Sequence, residues 1–347
     1  MRKRNLAWGA ALCLVGAASA WAQDANRVSH PSRKHAMTKL TASMHSFCVG
    51  RFILDVPAQA KLPHLFQRIH GMGGVEISGG IARTAYDLRA KEKEAELRAK
   101  PHQKEGSVLH EVWRPEGVDG TLFVHRDSDY AIGHFAILAY FWRDGRMFTF
   151  HYGASNDGIQ ESKDELMRAF SSIESRANDE IPKAAGSCIE SAFLPGSGFR
   201  SESVSADFDF PDYPNLKVFL LTNVTDSPDD EGLLARTARH TPAFEKSYPT
   251  AKVETLRRAK RTVNGAAGEE LFEVLKEDKN DPYTKPNGDR YRAHWEFVGV
   301  ANSMEKPELE IRLNYDDKPG SKRLTAEELL ALWDAVVNSL RPRPGAF

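Results

Sequence analysis

Apolar positions recur with two periods along the chain, and these periods predict the order of its strands and helices. A period of two is typical of strands with one buried face, and a period near 3.6 is typical of amphipathic helices. Asp144-Gly145 lies between two apolar runs and predicts a hairpin turn. In the first half, the pattern predicts strands at 47–57, 75–77, 108–113, 120–125, 132–142 and 147–152, and helices at 84–100 and 159–174.

The second half repeats this order of elements. Each half begins with a cysteine, a short apolar run and a proline, from Cys48 to Pro57 and from Cys188 to Pro195. The last helix opens at Thr325 with two glutamates in its first turn, which is a typical helix start. Further strands are predicted at 188–195, 203–210, 217–222, 256–263, 269–276, 291–300 and 309–315, and helices at 232–245 and 325–340.

The repeated order predicts an α+β fold of two structurally similar domains, each a mostly antiparallel sheet with packed helices. We expect the two domains to be autonomous and to be arranged as a clamp. The polar segment 175–187, which contains Pro182 and Gly186, is the best candidate for a linker between them. The predicted organisation is a signal peptide at 1–22, a flexible leader at 23–42, an N-terminal domain at 43–174, the linker at 175–187 and a C-terminal domain at 188–347.

The first residues have the three zones of a secretory signal peptide: basic residues at 2–4, an apolar run at 6–18, and small residues after it. These zones predict export from the cytoplasm, with cleavage near Ala20 or Ala22. An uncleaved anchor is the alternative, but the apolar run is short for a membrane span. The residue before Cys13 is not the small one that a lipobox requires, so lipidation is not expected.

The charge and hydropathy of the chain exclude two classes of function. The chain has 47 Lys and Arg against 48 Asp and Glu, and loss of the three cations in the signal peptide changes the formal charge from −1 to −4. A near-neutral protein without a basic cluster is not expected to bind nucleic acid. No later apolar run approaches 18 residues, so stable membrane insertion is not expected either.

The catalytic motifs of secreted hydrolases are missing. The nearest approach to a nucleophile elbow is Gly196-Ser197-Gly198, which lacks the five-residue frame. His110-Glu111 begins like the zinc-protease motif, but Trp and Arg follow where the second histidine is needed. The mature chain also has no CxxC pair, so we expect no catalytic residue, no metal site and no cofactor.

One glycine-rich segment and two acidic segments have structural explanations. The Gly-Met-Gly-Gly segment at 71–74 lacks the Lys-Ser/Thr ending of a phosphate loop and favours a turn. The acidic runs at 226–231 and 278–281 could coordinate calcium, but they lack the EF-hand spacing and favour solvated loops.

Aromatic and histidine residues cluster on predicted strands. Large side chains at 135–150 and 291–297 could line a ligand groove, although alternating aromatic residues more often fill a core. His134 and His151 lie on these strands, and we expect them in the core or on a sheet face rather than in catalysis.

The mature chain retains two cysteines, Cys48 and Cys188. In an oxidising compartment such a pair forms a disulfide or remains as two buried thiols, and the sequence leaves both outcomes open. Because the two residues hold equivalent places in the repeat, we hypothesise a bridge between the starts of the two domains.

Several short motifs resemble one known family. The segment 47–57, Phe-Cys-Val-Gly-Arg-Phe-Ile-Leu-Asp-Val-Pro, and the Lys-Glu-Ala-Glu-Leu sequence at 93–97 resemble the N-terminal domain of immunity proteins that neutralise type VI secretion lipase effectors, phospholipases of the Tle4 type. The Cys-Ile-Glu sequence at 188–190, the Ala-Gly-Glu-Glu sequence at 267–270 and the closing helix around 329–333 resemble the C-terminal domain of that family.

The resemblance implies a periplasmic, non-enzymatic immunity protein that binds and inhibits a cognate phospholipase effector. Such an inhibitor needs export and a large contact surface, but it needs no catalytic residues. Two alternatives stay open: an envelope module that binds lipid or cell wall along its aromatic strands, and a secreted enzyme whose site is assembled from scattered residues. The resemblance does not indicate which residues would contact the effector.

Overall fold

Eighteen strands and four α-helices make up the residues that the computed structural model describes, which are 39–61, 64–69, 73–196, 202–277 and 288–347. The predicted signal peptide and most of the predicted leader lie outside these residues. The first half contains β1 Met44–Val49, β2 Phe52–Pro57, β3 His64–Ile69, β4 Gly73–Ser78, α1 Arg83–Ala99, β5 Leu109–Trp113, β6 Gly120–Arg126, β7 His134–Arg143, β8 Arg146–Ser155, α2 Ile159–Ser172 and β9 Glu174–Ser175. The second half contains β10 Gly186–Ile189, β11 Ala192–Pro195, β12 Glu202–Asp209, β13 Leu216–Asn223, α3 Leu233–Ser247, β14 Val253–Val263, β15 Ala266–Leu275, β16 Arg290–Phe297, β17 Glu308–Asp316, α4 Ala326–Ser339 and β18 Arg341–Pro342.

Twelve of these strands form one antiparallel sheet that runs through both halves. Its order is β14-β15-β16-β17-β13-β12 in the second half, continued by β3-β4-β8-β7-β6-β5 in the first. Counted outwards from the seam between β12 and β3, each strand occupies the place of its counterpart in the other half. The predicted repeat of two structurally similar α+β halves is therefore confirmed.

The two halves do not form separate sheets, because β12 pairs with β3 over six residues and joins them in one sheet. We therefore expect the halves to depend on each other, and their autonomy stays a matter for experiment. The hydrophobic pattern does not predict β3, since Gln67 stands at an inward position between Leu65 and Ile69. Its carboxamide donates to the carbonyl of Val75 (2.6 Å) and accepts from the amide of Glu190 (3.2 Å). These bonds satisfy a polar side chain where the pattern requires an apolar one.

The runs at 47–57 and 188–195 fold as hairpins, β1–β2 and β10–β11, rather than as the single strands that the pattern predicts. The chain turns at Gly50 (φ +57°) and at Ser191 (φ +50°), both in the left-handed region. Each hairpin gains a third, two-residue strand, β18 on β2 and β9 on β11.

The main core lies on one face of the sheet, beneath α2 and α4. Phe170 of α2 stacks on Phe141 with ring centroids 4.3 Å apart, and Trp333 of α4 is fully buried. Helix α4 begins at a capping box, in which the Thr325 hydroxyl accepts from the Glu328 amide and the Glu328 carboxylate accepts from the Thr325 amide. Burial of each large apolar side chain stabilises the fold by about 1.5–3 kcal/mol, and this anchors both helices.

Helices α1 and α3 lie on the opposite face. In β7, Ile137 belongs to the main core, whereas its neighbour Leu138 packs in a separate cluster with α1. In β15, Glu270 accepts from Trp333 of α4. The preceding residue, Glu269, points to the other face and accepts from the amide of Leu234 at the start of α3 (2.9 Å). The sheet is thus covered by helices on both sides at its ends.

The predicted linker at 175–187 is held by two buried arginines. Arg343 donates to the carbonyls of Pro182, Ala184 and Gly186 at 2.6–2.8 Å. Arg176 donates at 2.7–3.1 Å to the carbonyls of Ala177, Asn178, Glu180, Ile189 and Ala192. The segment is therefore an ordered part of the junction between the halves, while the predicted domain boundaries themselves stay a prediction.

The packed part of the chain begins earlier than the predicted leader allows. Leu40 is 3% exposed and belongs to the main core cluster. The predicted leader at 23–42 therefore ends too late.

Candidate functional site

The structure joins Cys48 and Cys188 through a disulfide, with their Cα atoms 5.8 Å apart. The pair packs beside Phe193 and Ile181, and Gly50 exchanges two backbone hydrogen bonds with Cys188 (3.0 and 2.7 Å). This link ties the first hairpin of each half together away from solvent. It supports the junction and offers no contact surface, and the bridge stays a prediction for the protein in solution.

The residues that were weighed for catalysis do not come together. His110, His134 and His151 are exposed on strands and separate from one another. Ser197 and Gly198 lie outside the described residues. Within the part of the chain that the structure describes, no group of three or more His, Cys, Asp and Glu could hold a metal ion.

The loop segments show no ligand site either. In the acidic run at 226–231, two carboxylates pair with Arg236 (3.1 Å) and Arg239 (2.9 Å). The second run, at 278–281, lies outside the described residues. Gly73 and Gly74 of the 71–74 segment begin β4, and the two residues before them are not described.

The aromatic strands fill the core instead of lining a groove. Phe135, Phe141, Phe148, Phe150 and Trp295 are at most 2% exposed. A cavity of about 110 Å³ opens beside β18, which is smaller than the roughly 300–1,000 Å³ of typical ligand pockets.

No helix in the described ranges is long and apolar enough to cross a membrane.

A broad part of the outer sheet surface lies between α1 and α3. Helix α1 packs on β5, β6 and β7 at one end, and α3 packs on β15 at the other. Strand β16 lies beside β15 and is held by α3 through the pair of Arg236 with Glu296. The strands left between the two helices are β8, β4 and β3 from the first half and β12, β13 and β17 from the second. We call the outer surface of these six strands the open face. Because each half contributes three strands, a partner that covers the open face contacts both halves.

Phe66 lies near the centre of the open face. Its side chain is 65% exposed, and its direct neighbour on β12 is Ser205. Leu221 of β13 follows in the same row and is half-buried. Covering an exposed phenylalanine stabilises a complex by about 1.5–3 kcal/mol. This row is therefore suited to receive the surface of another protein.

An ionic cluster borders the open face beside α3. The Glu310 carboxylate lies 2.7 Å from His294 Nε2 and also accepts from Arg312. Arg236 of α3 donates to both oxygens of Glu296. Burial acts to raise the pKa of Glu310, but hydrogen bonding to His294 and Arg312 outweighs it, so this pKa is lowered from 4.5. Glu310 is thus ionised at neutral pH, and it holds Arg312, whose side chain is 51% exposed at this border.

Sequence reasoning missed Phe66 because it missed β3. The available signal was the alternation of the exposed residues His64, Phe66 and Arg68 with residues that face inward. However, one of the inward residues, Gln67, is polar, so the alternation of apolar and polar residues is broken. A large aromatic residue on the solvent side of a strand is the kind of signal that marks a contact surface.

Comparison with known protein families matches both halves of the chain. Residues 45–187 match the N-terminal domain of Tle cognate immunity protein 4, and residues 180–345 match its C-terminal domain. No individual curated protein matches the chain.

Solved structures share the fold over 87% of this chain. The apo structure of the immunity protein TplEi of the type VI secretion system of Pseudomonas aeruginosa has 24% identity and a TM-score of 0.73, over 97% of its own length. A chain of the Tle4–Tli4 complex has 23% identity and a TM-score of 0.73, over 98% of its length. TplEi from P. aeruginosa complexed with an "L" peptide has 21% identity and a TM-score of 0.68, over 99%.

The repeated fold and these matches define a two-domain immunity protein. The two family matches adjoin and together span residues 45–345. The chain belongs to the Tle cognate immunity protein 4 family.

Proposed function

We propose that this protein is a periplasmic immunity protein that binds and inhibits a cognate phospholipase effector of a type VI secretion system. In this way it protects the cell that produces it. The observation that carries the proposal is the pair of adjacent family matches, which cover both halves. The presence of the Tle4–Tli4 complex among the similar structures supports a protein partner.

The geometry supports inhibition by binding rather than by a reaction. An inhibitor of this kind needs a surface, and the open face offers one that both halves build. The residues that were weighed for catalysis lie apart where the structure describes them. We therefore propose that the protein has no turnover of its own.

The proposal predicts a lipase gene beside this one, and titration of that lipase tests the proposal. Inhibition should saturate near one equivalent when both concentrations exceed the dissociation constant. Lipid hydrolysis by this protein alone that survives repurification would instead support the secreted enzyme. Binding to lipid or cell wall without inhibition of the lipase would support the envelope module.

The periplasmic location rests on the predicted signal peptide. Sequencing the N-terminus of the protein from a periplasmic extract should show a start just after Ala20 or Ala22. Recovery of the intact chain from cytosol alone would contradict export.

The open face has its own test in Phe66→Asp. A charge at the centre of the open face should weaken inhibition of the lipase by roughly 30-fold or more, because the aspartate has to be desolvated in the complex. Ile132→Asp is the matched control, since Ile132 is 64% exposed in the loop before β7. Equal loss in both variants, or in neither, would exclude a special role for the open face.

A further inference from the structure

The hairpins β1–β2 and β10–β11 lie beneath the seam between β12 and β3, on the side of the sheet opposite to the open face. Strand β1 packs on β12, and β10 packs on β3. A Cβ atom at Gly50 would lie 3.5 Å from the Cβ atom of Val204 in β12 and 2.8 Å from the hydroxyl of Thr222 in β13. Each hairpin thus supports the seam strand that belongs to the other half.

The polar contacts of the two hairpin turns follow the same crossed arrangement. Arg51, in the turn of the first hairpin, donates twice to one carboxylate oxygen of Glu202 at the start of β12 (3.1 and 3.2 Å). Glu190, in the turn of the second hairpin, accepts from the amide of Leu65 in β3 (2.6 Å), and its own amide donates to Gln67 (3.2 Å). Both hairpins together therefore hold the seam from below.

The disulfide between Cys48 and Cys188 is a covalent link between these two hairpins. Both residues are buried, at 1% and 0% exposure, and 140 residues separate them along the chain. A bridge over so long a loop strongly restricts the unfolded chain. The third cysteine, Cys13, lies in the predicted signal peptide. The mature chain therefore has two redox forms, a dithiol and a single disulfide.

The hairpins meet the seam directly beneath the centre of the open face. Gln67 and Val204 face each other across the seam, and both contact the hairpin turns. The adjacent pair on the same strands is Phe66 with Ser205. Because successive side chains of a strand point to opposite faces, this pair lies on the open face. A displacement of the hairpins therefore moves the centre of the open face.

Buried charges leave the junction little freedom to relax. Arg51 and Glu202 are 2% and 4% exposed, and Arg343, which holds the segment at 182–186, is 1% exposed. A buried charge that loses its partner is strongly unfavourable. When the hairpins part, these charges have to reach water instead of adjusting by small shifts. The junction therefore has two arrangements, one closed and one locally open.

We propose that the disulfide between Cys48 and Cys188 is a redox switch for binding of the effector. In the disulfide form, the hairpins fix the seam, and the open face has the shape that binds the lipase. In the dithiol form, the chain is folded, but the seam opens locally and the lipase is bound weakly. The switch rests on the proposed function and on the open face as the contact surface.

Closing the switch is a two-electron oxidation. The two thiols give up two protons and two electrons, and a bond forms between their sulfur atoms. The disulfide of a thiol oxidoreductase accepts the protons and electrons and becomes a dithiol. Because the cytosol keeps thiols reduced, the chain reaches its binding form only after export. The predicted signal peptide thus delivers the chain to the compartment in which its binding form arises.

The affinity of the full-length mature protein for the lipase whose gene is expected beside this one tests the switch. Wild type that is reduced in denaturant and refolded in reductant should have a dissociation constant at least about 10-fold higher than the oxidised protein. Cys48→Ala/Cys188→Ala should bind as weakly as the reduced wild type. Reductant should not change the affinity of this double variant, which controls for effects of reductant on the lipase.

A variant with lower stability and an intact junction is the matched control, because loss of the bridge also lowers the stability of the whole fold. Val108 is 6% exposed in the separate cluster beside α1. Val108→Ala leaves a cavity there, far along the chain from both hairpins. Its dissociation constant should stay within about threefold of that of the wild type, because surface-forming strands at the seam are unchanged.

Hydrogen exchange measures the state of the seam without any lipase. In the dithiol form, exchange of the amides of β3 and β12 should accelerate at least about 10-fold more than exchange of the amides of β6 and β16. In Val108→Ala, the seam should show no such excess. Equal acceleration in all four strands of the dithiol form would mean that the bridge is only a general stabiliser, and the switch would be wrong.

The outcomes separate the switch from the proposed function. An oxidised wild type that inhibits the lipase, together with a dithiol form that binds within about threefold, would overturn the switch and leave the function standing. An oxidised wild type that does not bind the lipase would overturn both. A dithiol form that is unfolded by circular dichroism would also contradict a switch between two folded forms, and so would free thiols in protein from the periplasm.

Discussion

Charged side chains are buried at the junction of the two halves, although the hydrophobic pattern of the sequence places them in solvent. Arg51 is 2% exposed and pairs with Glu202 at 3.1 Å, and Arg176 is 3% exposed among backbone carbonyls. Burial lowers the pKa of Arg176 to about 10, so it remains charged at neutral pH. In the sequence, such residues look solvated, and the segment around Arg176 therefore resembles a linker. The carbonyl partners that explain its burial are visible only in three dimensions.

Glu310 predicts a dependence of stability on pH. Its pKa is lowered in the folded protein, so its stabilising contribution is present above the unfolded value of about 4.5 and disappears as the pH falls through the folded value. Glu310→Gln should lower the free energy of unfolding at pH 7 by about 1–3 kcal/mol, and the deficit should shrink towards pH 3. Urea unfolding at several pH values measures it. Glu92→Gln on the exposed side of α1 is the control, and a deficit that does not vary with pH would contradict the assignment.

Thiol labelling tests whether Cys48 and Cys188 form the predicted disulfide. Labelling of the denatured, unreduced protein with a thiol reagent should modify neither Cys48 nor Cys188. Two labelled thiols would show that the cysteines are buried but free. The sequence identifies the two residues and their equivalent places, whereas their distance depends on how the two hairpins meet.

Most elements follow from the hydrophobic pattern because their two faces differ clearly. The predicted helices at 84–100 and 159–174 and the hairpin at Asp144-Gly145 occur within a few residues of their predicted positions. Strand β3 is not predicted, since a hydrogen-bonded glutamine replaces an apolar residue on its inner face. The runs at 47–57 and 188–195 are predicted as single strands, but they fold as hairpins. Helix α3 is predicted as a helix, but the exposure of its residues from 238 onwards is not, because periodicity does not show what covers an apolar side.

Limited proteolysis distinguishes the ordered junction from the exposed end of α3. Trypsin should cut first after Arg239, Lys246 or Lys252, which are exposed, and only later after Lys183, whose segment is held by the two buried arginines. Mass spectrometry of early fragments identifies the sites. In Arg343→Met, the carbonyls of Pro182, Ala184 and Gly186 lose their donor, and cleavage after Lys183 should become early. An early cut there in the wild type would support a flexible linker.

At the scale of the whole molecule, the seam between β12 and β3 makes the two halves depend on each other. Strand β3 loses its neighbour if the second half is removed, and β2 loses β18. The repeat was visible in the sequence as a repeated order of elements. The seam was not, because pairing between distant strands leaves no mark on local periodicity.

Separate expression of the halves tests this dependence. Residues 43–174 alone and residues 188–347 alone should each unfold at lower urea concentration than the full chain, or fail to fold, because each exposes the edge and the apolar side chains of the seam. The full chain should unfold in one transition that circular dichroism and tryptophan fluorescence report together. Two separate transitions, with midpoints that match those of the isolated halves, would restore the picture of autonomous domains.

The pairing of β2 with β18 also determines when the first hairpin can be completed during synthesis of the chain. Ile53 meets Arg341 in this pair, and 288 residues separate them along the chain. At about 5–20 residues per second, a ribosome makes Arg341 roughly 15–60 s after Ile53. The first hairpin therefore waits for its third strand until synthesis is nearly over. This delay suits the export that the signal peptide predicts, because the earliest elements of the chain cannot reach their final packing before the latest ones exist.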